Sequence, residues 1–384
     1  MHRHLAAAVL LAACAQASGP DPDAGMAARM DALVPSLIET DGVAGIGIAV
    51  IRDGAVTWEG YYGEQAPGVP ATRKTAFNVA SVAKTLTAET LLALDAAGEI
   101  DLDEPIAPYV RHEDLAGDPR YDRLTARLLL AHRGGLLNWP YSYEDGRLAF
   151  DHDPDARTSY SGAGVELAAA YAEAKTGTPF ADLVRTTVLE PLGMDEASLG
   201  TVPAWAEGRM AVPMTATGAW TTIAEANAGL AAGDANAAAD DLVVTVPAYA
   251  GLIAALAARD GALSGAWDER VTVRGSLADD PVYRCAEFSW LRCPDAYGHS
   301  VGWHSFAWDD HAVLSHSGSD AGETAFVYVS PDTCAGAVIF VNGANGWPAM
   351  TRIIEAIGDE PHLADYYRGL IEARLGIPMP PLAE

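Results

Sequence analysis

The stretch NVASVAKTLTA, residues 78–88, places a serine three positions before a lysine, among valines and alanines. On a helix, Ser81 and Lys84 at this spacing share one face. If that face is shielded from water, the neutral amine is favoured, and it can accept the proton of the serine and activate it for attack. Ser81 at a helix N-terminus would also place free N–H groups next to a developing oxyanion. The same tetrapeptide fits a structural alternative, in which Ser81 is only an N-cap.

The segments around this stretch predict how it is held. Residues 26–40 have the apolar spacing of an amphipathic helix, and GIGIAVI (45–51) and AVTWEGYYG (55–63) flank an Arg-Asp-Gly turn, which predicts a β-hairpin. The helical spacing that starts at Ser81 continues to about Ala97, and Gly98 fits the position after a helix C-terminus.

Strand patterns recur only in the last third of the chain, and the middle is alanine-rich with helical periodicity. We therefore predict an α+β fold: one antiparallel sheet built from both ends of the chain, flanked by helices, with an inserted, mostly helical lobe. The α/β lobe would comprise about 25–110 and 281–360, and the helical lobe about 111–280. A final helix is expected near 348–358, followed by a Pro-rich tail over 361–384.

The composition limits the partners. The formal net charge is −28, which argues against nucleic acid and anionic membrane as direct partners, because both require basic patches. A solvated acidic surface explains this charge more simply than a specific cationic partner.

The N-terminus predicts export. Arg3 and two histidines precede a short apolar stretch, Leu5 to Ala13, typical of a signal peptide and too short to span a bilayer. Residues 1–17 would be this signal, with either a lipobox ending at Cys14, which would then carry a lipid anchor, or cleavage before Ser18. The protein is expected to be periplasmic, lipid-anchored or secreted.

The remaining cysteines would then lie in an oxidising compartment. Cys285 and Cys293 bracket a short loop and are expected to form a disulfide. Cys334 is expected to be unpaired and buried beside a strand.

Four segments, in order, resemble the serine β-lactamase and penicillin-binding-protein-like family, in particular its branch of class C β-lactamases, DD-peptidases and esterases. They are FNVASVAKTLTAETLLAL (77–94), LTARLLLAHRGGLLNW (124–139), TSYSGAGVELAAAYAEAKTGTPF with VLEPLGM (158–194), and SHSGSDAGETAFVYVSPD (315–332). The resemblance runs from about residue 28 to 358. It implies a β-lactamase/transpeptidase-like fold for residues 25–360 and acyl transfer through a serine.

The resemblance also implies roles. Ser81 would be the nucleophile, Lys84 its base, and Tyr160, from the YxN motif, would relay a proton to the leaving group. The third motif, usually KTG, would be His316, Ser317 and Gly318, and the N–H of Ser319 would complete the oxyanion hole.

Two positions depart from the family pattern. Gly162 stands where YxN has the asparagine that helps to bind the substrate, and His316 stands where KTG has lysine. A neutral histidine attracts a substrate carboxylate less than lysine does. Both changes favour ester or small-amide hydrolysis over β-lactam turnover.

The expected function is therefore an exported serine hydrolase acting, without metal or organic cofactor, on a short-acyl ester or on a peptide or amide of D-amino acids. One alternative is a β-lactamase or D-alanyl-D-alanine carboxypeptidase proper. Another is a catalytically weak family member that binds peptidoglycan fragments or a protein, which the replacement at Gly162 keeps open.

Three other groups of side chains bear on function. His299, His304, His311 and His316 suggest a metal site, but their spacings put successive histidines on opposite faces of any single strand, so the first three are expected at the surface or in turns. Trp139, Tyr141 and Tyr143 fit either the substrate pocket or packing between lobes. Glu166, Glu173 and Lys175 are expected to be solvated.

Overall fold

The hairpin predicted before Ser81 forms one half of a sheet that the end of the chain completes. The computed structural model describes residues 23–222, 225, 238–259, 261–281, 283–285, 288–309 and 311–382. The predicted signal sequence, with Cys14 and Ser18, lies outside these ranges.

The helices and strands are numbered in chain order. The strands are β1 (Gly45–Arg52), β2 (Ala55–Ala66), β3 (Val69–Pro70), β4 (Ala76–Asn78), β5 (Ala197–Leu199), β6 (Leu242–Thr245), β7 (Gly275–Ser276), β8 (Ala296–His299), β9 (His304–Ala307), β10 (Ala312–Asp320), β11 (Glu323–Ser330) and β12 (Ala335–Asn342). The helices are α1 (Ala24–Asp41), α2 (Ala83–Ala96), α3 (Ala126–Leu130), α4 (Gly162–Thr176), α5 (Phe180–Val184), α6 (Val246–Ala258), α7 (Trp267–Val271), α8 (Gly346–Ile357) and α9 (Pro361–Leu375).

Nine strands form an antiparallel sheet in the order β3-β2-β1-β12-β11-β10-β9-β8-β7. Strand β1 lies between β2 and β12, with Ile48 opposite both Gly60 and Ile339. The predicted α+β architecture, with a sheet built from both ends of the chain, is thereby confirmed. A second, three-stranded sheet in the order β4-β6-β5 lies beside the start of α2.

Apolar side chains cover both faces of the large sheet. Helices α1, α8 and α9 share one core with it, represented by Met30, Ile353 and Leu363, all of which have no exposed surface. The other face packs on α2, α6 and the helical lobe, through residues such as Val82 and Phe340. Burial on both faces explains why β1, β11 and β12 are almost continuously apolar.

Helix α6 lies within the predicted helical lobe, about 111–280. Helix α6 packs on the sheet, since a Cβ added to Gly47 of β1 would lie 2.8 Å from Val246, and one added to Gly336 of β12 would lie 2.6 Å from Ile253. Helix α6, which the sequence assigned to the helical lobe, therefore packs with the sheet. Alanine-rich helical periodicity does not reveal which surface a helix packs against.

The C-terminal region is also corrected. Helix α8 agrees with the helix predicted near 348–358, but Pro361–Leu375 form helix α9 rather than part of a tail. Pro361 occupies the first turn of α9 and Gly376 follows it in the left-handed conformation, a pattern typical of helix ends.

The predicted disulfide between Cys285 and Cys293 is present. Cys334 is also disulfide-bonded, so the expectation that it is unpaired is wrong. Among the residues that the structure describes, no helix is both long and apolar enough to cross a membrane.

Candidate active site

Ser81 and Lys84 meet as their spacing predicts. Ser81 lies in a single 3-10 turn, Ala80–Val82, that leads directly into α2. The lysine is on the next turn, and its Nζ donates a hydrogen bond of 2.8 Å to Ser81 Oγ. Ala80, just before the serine, adopts the left-handed conformation with φ of 45°, a costly arrangement for a residue with a Cβ, and one that concentrates at functional sites.

Lys84 is enclosed by protein. Only 1 % of its surface is exposed, and its Nζ also donates to the carbonyl oxygen of Ala239 at 2.6 Å. Aromatic rings cover the same amino group: the ring centroids of Tyr160 and Trp139 lie 5.1 Å and 5.9 Å from Nζ. The amine is thus held against Ser81 Oγ and shielded from bulk water.

An acidic residue that the sequence did not single out also contacts the serine. Ser81 Oγ donates to Asp240 Oδ1 at 3.1 Å. Asp320, at the end of β10, is affected by the charge of Asp240. Burial, and then this charge, raise the pKa of Asp320 to about 6. The site therefore holds two carboxyl groups near the serine, and no sequence motif marks either of them.

Glu166 supports the segment that binds Lys84. Its Oε1 accepts a hydrogen bond of 2.8 Å from the N–H of Ala239, the residue whose carbonyl binds Lys84. Burial raises the pKa of Glu166 to about 8, although this N–H bond and Lys84 act in the opposite direction. The expectation that Glu166 is solvated is wrong.

The two neighbours on α4 have local partners. Glu173 accepts from the N–H of Phe180, and Lys175 pairs with Glu104 at 2.7 Å. They take no part in the arrangement around the serine.

Tyr160 is held by His132. The N–H groups of Ser159 and Ser161, on either side of the tyrosine, donate to the carbonyl oxygen and to Nδ1 of His132. The rings of His132 and Tyr160 lie 4.3 Å apart. Burial, followed by the charge of Lys84, lowers the pKa of His132 well below its usual value, so the ring stays neutral and its Nδ1 remains an acceptor.

At Gly162, where the YxN motif has asparagine, the indole ring of Trp139 occupies the space of a side chain. Gly162 begins α4, and its N–H donates to Asn138 Oδ1 at 2.8 Å. A Cβ added to Gly162 would lie 2.4 Å from the indole of Trp139. Trp139 thus fills the space next to Gly162 and simultaneously covers Lys84.

The other two aromatic residues of this loop differ from Trp139. Tyr143 is used in packing, because its hydroxyl accepts from the N–H of Leu137 and donates to the carbonyl of Ala149. Tyr141 is 78 % exposed, and its pKa is raised by burial of part of the ring and by the charges of Asp240 and Asp320.

The third motif lies against the serine, as the resemblance implies. A Cβ on Gly318 would lie 2.0 Å from the carbonyl oxygen of Val79 and 3.1 Å from the backbone nitrogen of Ser81. Only glycine permits this approach of β10 to the start of α2. On the β9 side, the pairing of β10 ends at Ser315, so Ser317, Gly318 and Ser319 lie beyond it.

His316 is buried and neutral. Its Nδ1 donates to the carbonyl oxygen of Ser317 at 2.8 Å. Burial lowers its pKa well below the usual value, and His304 and Lys84 lower it further. At this position the chain offers no permanent positive charge to a substrate.

Four buried histidines form a row beneath the site. Ring centroids are 4.5 Å apart for His132 and His299, 4.5 Å for His299 and His304, and 5.4 Å for His304 and His316. The expectation of surface or turn positions is therefore wrong for His299 and His304. His311 pairs instead with Glu360 at 2.9 Å.

The row does not form a metal-binding cluster. Within the part of the chain that the structure describes, no three His, Cys, Asp or Glu side chains converge as metal ligands would.

The β-lactamase family model matches residues 30–359, and the chain therefore belongs to the β-lactamase family, which comprises serine hydrolases. Penicillin-binding protein 4 of Amycolatopsis lactamdurans is 25 % identical over 327 residues, 82 % of this chain and 81 % of that protein. Esterase EstB of Burkholderia gladioli is 30 % identical over 218 residues, 50 % of this chain and 55 % of the esterase.

Solved structures agree on the fold. The octameric penicillin-binding protein homologue from Pyrococcus abyssi superposes with a TM-score of 0.67 at 18 % identity, over 90 % of this chain and 81 % of that one. The class C β-lactamase from Rhodobacter sphaeroides gives 0.64 at 16 % identity, over 91 % and 99 %.

Proposed function

We propose that the protein is an exported serine hydrolase that forms an acyl-enzyme at Ser81 on a short-acyl ester or on a peptide or amide of D-amino acids. The hydrogen bond of 2.8 Å between Lys84 Nζ and Ser81 Oγ, in surroundings closed to water, carries the proposal. The unprotonated form of Lys84 is the one that accepts the hydroxyl proton while Oγ forms a bond to the carbonyl carbon.

The remaining steps use the groups around this pair. The N–H groups of Ser81 and Ser319 stabilise the oxyanion. Tyr160, next to Lys84, passes a proton to the leaving group as the bond to it breaks. Water then attacks the acyl carbon, and Ser81 regains its proton as the acid leaves. No step requires a metal or an organic cofactor.

The charges around the serine support this substrate class. Asp240 and Asp320 place negative charge beside it, and His316 is neutral at the position where the family has lysine. A substrate with a carboxylate next to its reacting carbonyl would be repelled. A neutral ester, or a peptide with a free N-terminal ammonium, fits this environment better. A D-aminopeptidase of Gluconobacter oxydans is among the relatives, 29 % identical over 45 % of this chain and 35 % of that enzyme.

Two other functions fit less well. A β-lactamase or D-alanyl-D-alanine carboxypeptidase acts on substrates with a carboxylate, which the two aspartates disfavour. A binding protein without catalysis would have no need for a buried lysine held against a serine, since burying an amine is costly unless it is used or paired.

A fluorophosphonate probe tests the proposal. Intact mass should show one adduct on the mature protein and on Ser36→Ala, which removes an exposed serine of α1, and none on Ser81→Ala. Lys84→Met should react at least tenfold more slowly. No adduct on folded protein would refute the hydrolase.

Substrate turnover then separates the activities. We expect p-nitrophenyl acetate and D-alanine p-nitroanilide to be cleaved faster than nitrocefin or a diacetyl-Lys-D-Ala-D-Ala peptide. If the last two were the better substrates, the β-lactamase or carboxypeptidase alternative would replace this proposal.

Export is a separate part of the proposal, supported by the signal-like residues 1–17. Expression of the full chain in a diderm bacterium, followed by fractionation, should place the protein outside the cytoplasm. Lipid attachment at Cys14 would be recognised by its mass and its loss in Cys14→Ser, whereas a mature N-terminus at Ser18 would show a soluble product. Retention of the complete chain in the cytoplasm would refute export.

A further inference from the structure

A cavity lies on the opposite side of β10 from Ser81, between the sheet and helix α9. Its volume is about 230 Å³, and most of its wall is aromatic or aliphatic, including Leu277, Phe306, Trp347, Tyr366, Tyr367 and Leu370. An engineered protein cavity of about 150 Å³ holds a benzene molecule. This cavity can therefore hold a somewhat larger apolar molecule.

One wall lies beyond the residues that the family model matches. Helix α9 begins at Pro361, after the last residue matched by the family model, which is residue 359. The hydroxyl of Tyr366 donates to the carbonyl oxygen of Tyr283, so the helix is fixed against the segment on the other side of the cavity. The cavity is thus a built feature, whose wall includes a helix outside the matched family region.

A buried polar group lines this otherwise apolar space. His304 is 8 % exposed, and its Nε2 has no hydrogen-bond partner. Burial lowers its pKa to about 4, so the ring is neutral near pH 7 and offers either one N–H or one lone pair at Nε2. Leaving a buried polar atom without a partner is destabilising, which favours an occupant that supplies the partner.

A cation lies at the same end of the cavity. The guanidinium of Arg374 stacks on the ring of Tyr283 at 4.7 Å from its centroid. The ring of His304 meets the same tyrosine edge-on, with 6.3 Å between the two centroids, and all three residues line the cavity. Within the described ranges, Arg374 forms no ion pair with a carboxylate. In a chain with a net charge of −28, an arginine without an acidic partner at the edge of an apolar cavity is well suited to an anion.

We propose that this cavity is a binding site for a medium-chain aliphatic carboxylate, in which Arg374 and the Nε2–H of His304 hold the carboxylate and the apolar wall holds the chain. The site is distinct from the place where substrate would react. Ser317 lines it, whereas Gly318, its neighbour on β10, lies against Val79 and Ser81.

Calorimetric titration of sodium octanoate into the Ser81→Ala protein tests the site independently of catalysis. We expect saturable one-to-one binding. Octanol, which has the same chain length without the charge, should bind at least tenfold more weakly, and so should octanoate to Arg374→Gln. Arg185→Gln, which changes an exposed arginine remote from the cavity, should bind octanoate as the parent does.

A second variant tests the location. Leu370→Trp fills the cavity and should abolish octanoate binding, while circular dichroism and the melting temperature establish that the protein is folded. Three results would each overturn the proposal. They are no binding of octanoate to the parent, equal binding of octanol and octanoate, or binding of octanoate to folded Leu370→Trp. If Leu370→Trp does not fold, Ile371→Trp replaces it with the same criteria. None of these outcomes depends on whether Ser81 reacts with a probe.

Discussion

The indole of Trp139 lies over Gly162 so closely that a Cβ on the glycine would come within 2.4 Å of the ring. The two residues are 23 positions apart in the sequence and belong to different segments of the site. The glycine is therefore the partner of the tryptophan: any side chain at 162 would have to displace a ring that also covers Lys84.

Gly162→Asn should consequently destabilise the protein by about 1–3 kcal/mol, the range for overpacking a filled site. Urea unfolding would measure this difference. Gly117→Asn is the matched control, because no atom lies within 4 Å of a Cβ at Gly117, and it should change the free energy of unfolding by less than about 0.5 kcal/mol.

The pairing itself is tested by the double variant Trp139→Gly with Gly162→Asn. Removal of the ring makes room for the asparagine, so the cost of Gly162→Asn should largely disappear in this background, with a coupling of about 1 kcal/mol or more. Strict additivity of the two changes would show that the indole does not exclude a side chain at 162.

A second prediction concerns the ion pair that fixes the helix of the nucleophile. Glu89 on α2 accepts from Arg270 Nε at 2.9 Å and from the indole N–H of Trp303 at 3.0 Å, and both charged side chains are almost completely buried. Arg270→Met should lower the free energy of unfolding by about 3–5 kcal/mol, since it leaves an uncompensated buried charge.

Glu89→Gln combined with Arg270→Met should recover part of this loss, because it removes the stranded charge. The exposed pair of Arg185 and Asp182 provides the comparison, and Arg185→Met should change stability by less than about 0.5 kcal/mol. If Arg270→Met had as small an effect as Arg185→Met in thermal unfolding, the buried pair would not hold α2.

The raised pKa of Glu166 predicts how kcat/KM changes at alkaline pH. With a pKa of about 8, its carboxyl is mostly protonated at pH 7 and ionises above pH 8. The new negative charge lies next to the segment that binds Lys84 and disfavours the oxyanion that forms during acylation, so kcat/KM should fall as pH rises through 8. Glu166→Gln keeps the acceptor for Ala239 N–H without ionising, and should lose this fall in ester hydrolysis assays.

Below pH 7, Glu166→Gln should match the parent within about threefold, whereas Glu166→Ala should lose about tenfold in kcat/KM, because the Ala239 segment loses one hydrogen bond. If kcat/KM of Glu166→Gln still fell as pH rises through 8, the ionisation of another group would be responsible for the fall.

The buried histidines predict how stability depends on acid. The pKa of His299 is held well below its usual value by burial and then by His304 and His132, so below about pH 6.5 the unfolded chain binds a proton that the folded protein does not. The stability present above pH 6.5 is therefore lost as pH falls. Each such histidine contributes a slope of about 1.4 kcal/mol per pH unit.

His299→Phe should remove one such slope. Between pH 6.5 and 5 the parent should lose about 2 kcal/mol more than the variant, measured by urea unfolding at each pH. The comparison of slopes is independent of any packing change, which would shift both ends equally. Parallel curves would show that His299 is protonated in the folded protein.

Much of the fold was accessible from sequence because it rests on local patterns. Two strand-like segments on either side of an Arg-Asp-Gly turn predicted the hairpin before Ser81, and helical spacing brought Ser81 and Lys84 to one face. Helix α9 was missed although Pro361 and Gly376 mark its two ends. The prolines that follow this helix suggested a tail, and the predicted tail, 361–384, wrongly included the helix.

The unpredicted parts of the site depend on tertiary contacts. Asp240 and Glu166 reach Ser81 and Lys84 from segments more than 70 residues away, and nothing in their local sequence marks them. The alternation argument failed for His299 and His304 because they lie on two different strands, where they face each other across the pair β8 and β9.

The position of β1 between β2 and β12 determines the order of events when the chain is made. Strand β2 is available almost at once, but β12 is synthesised roughly 280 residues after β1. At about 5–20 residues per second, this delay lasts about 15–60 s. For that time the apolar edge GIGIAVI has no native partner on one side, and a nascent chain in this state is prone to aggregate or to bind a chaperone.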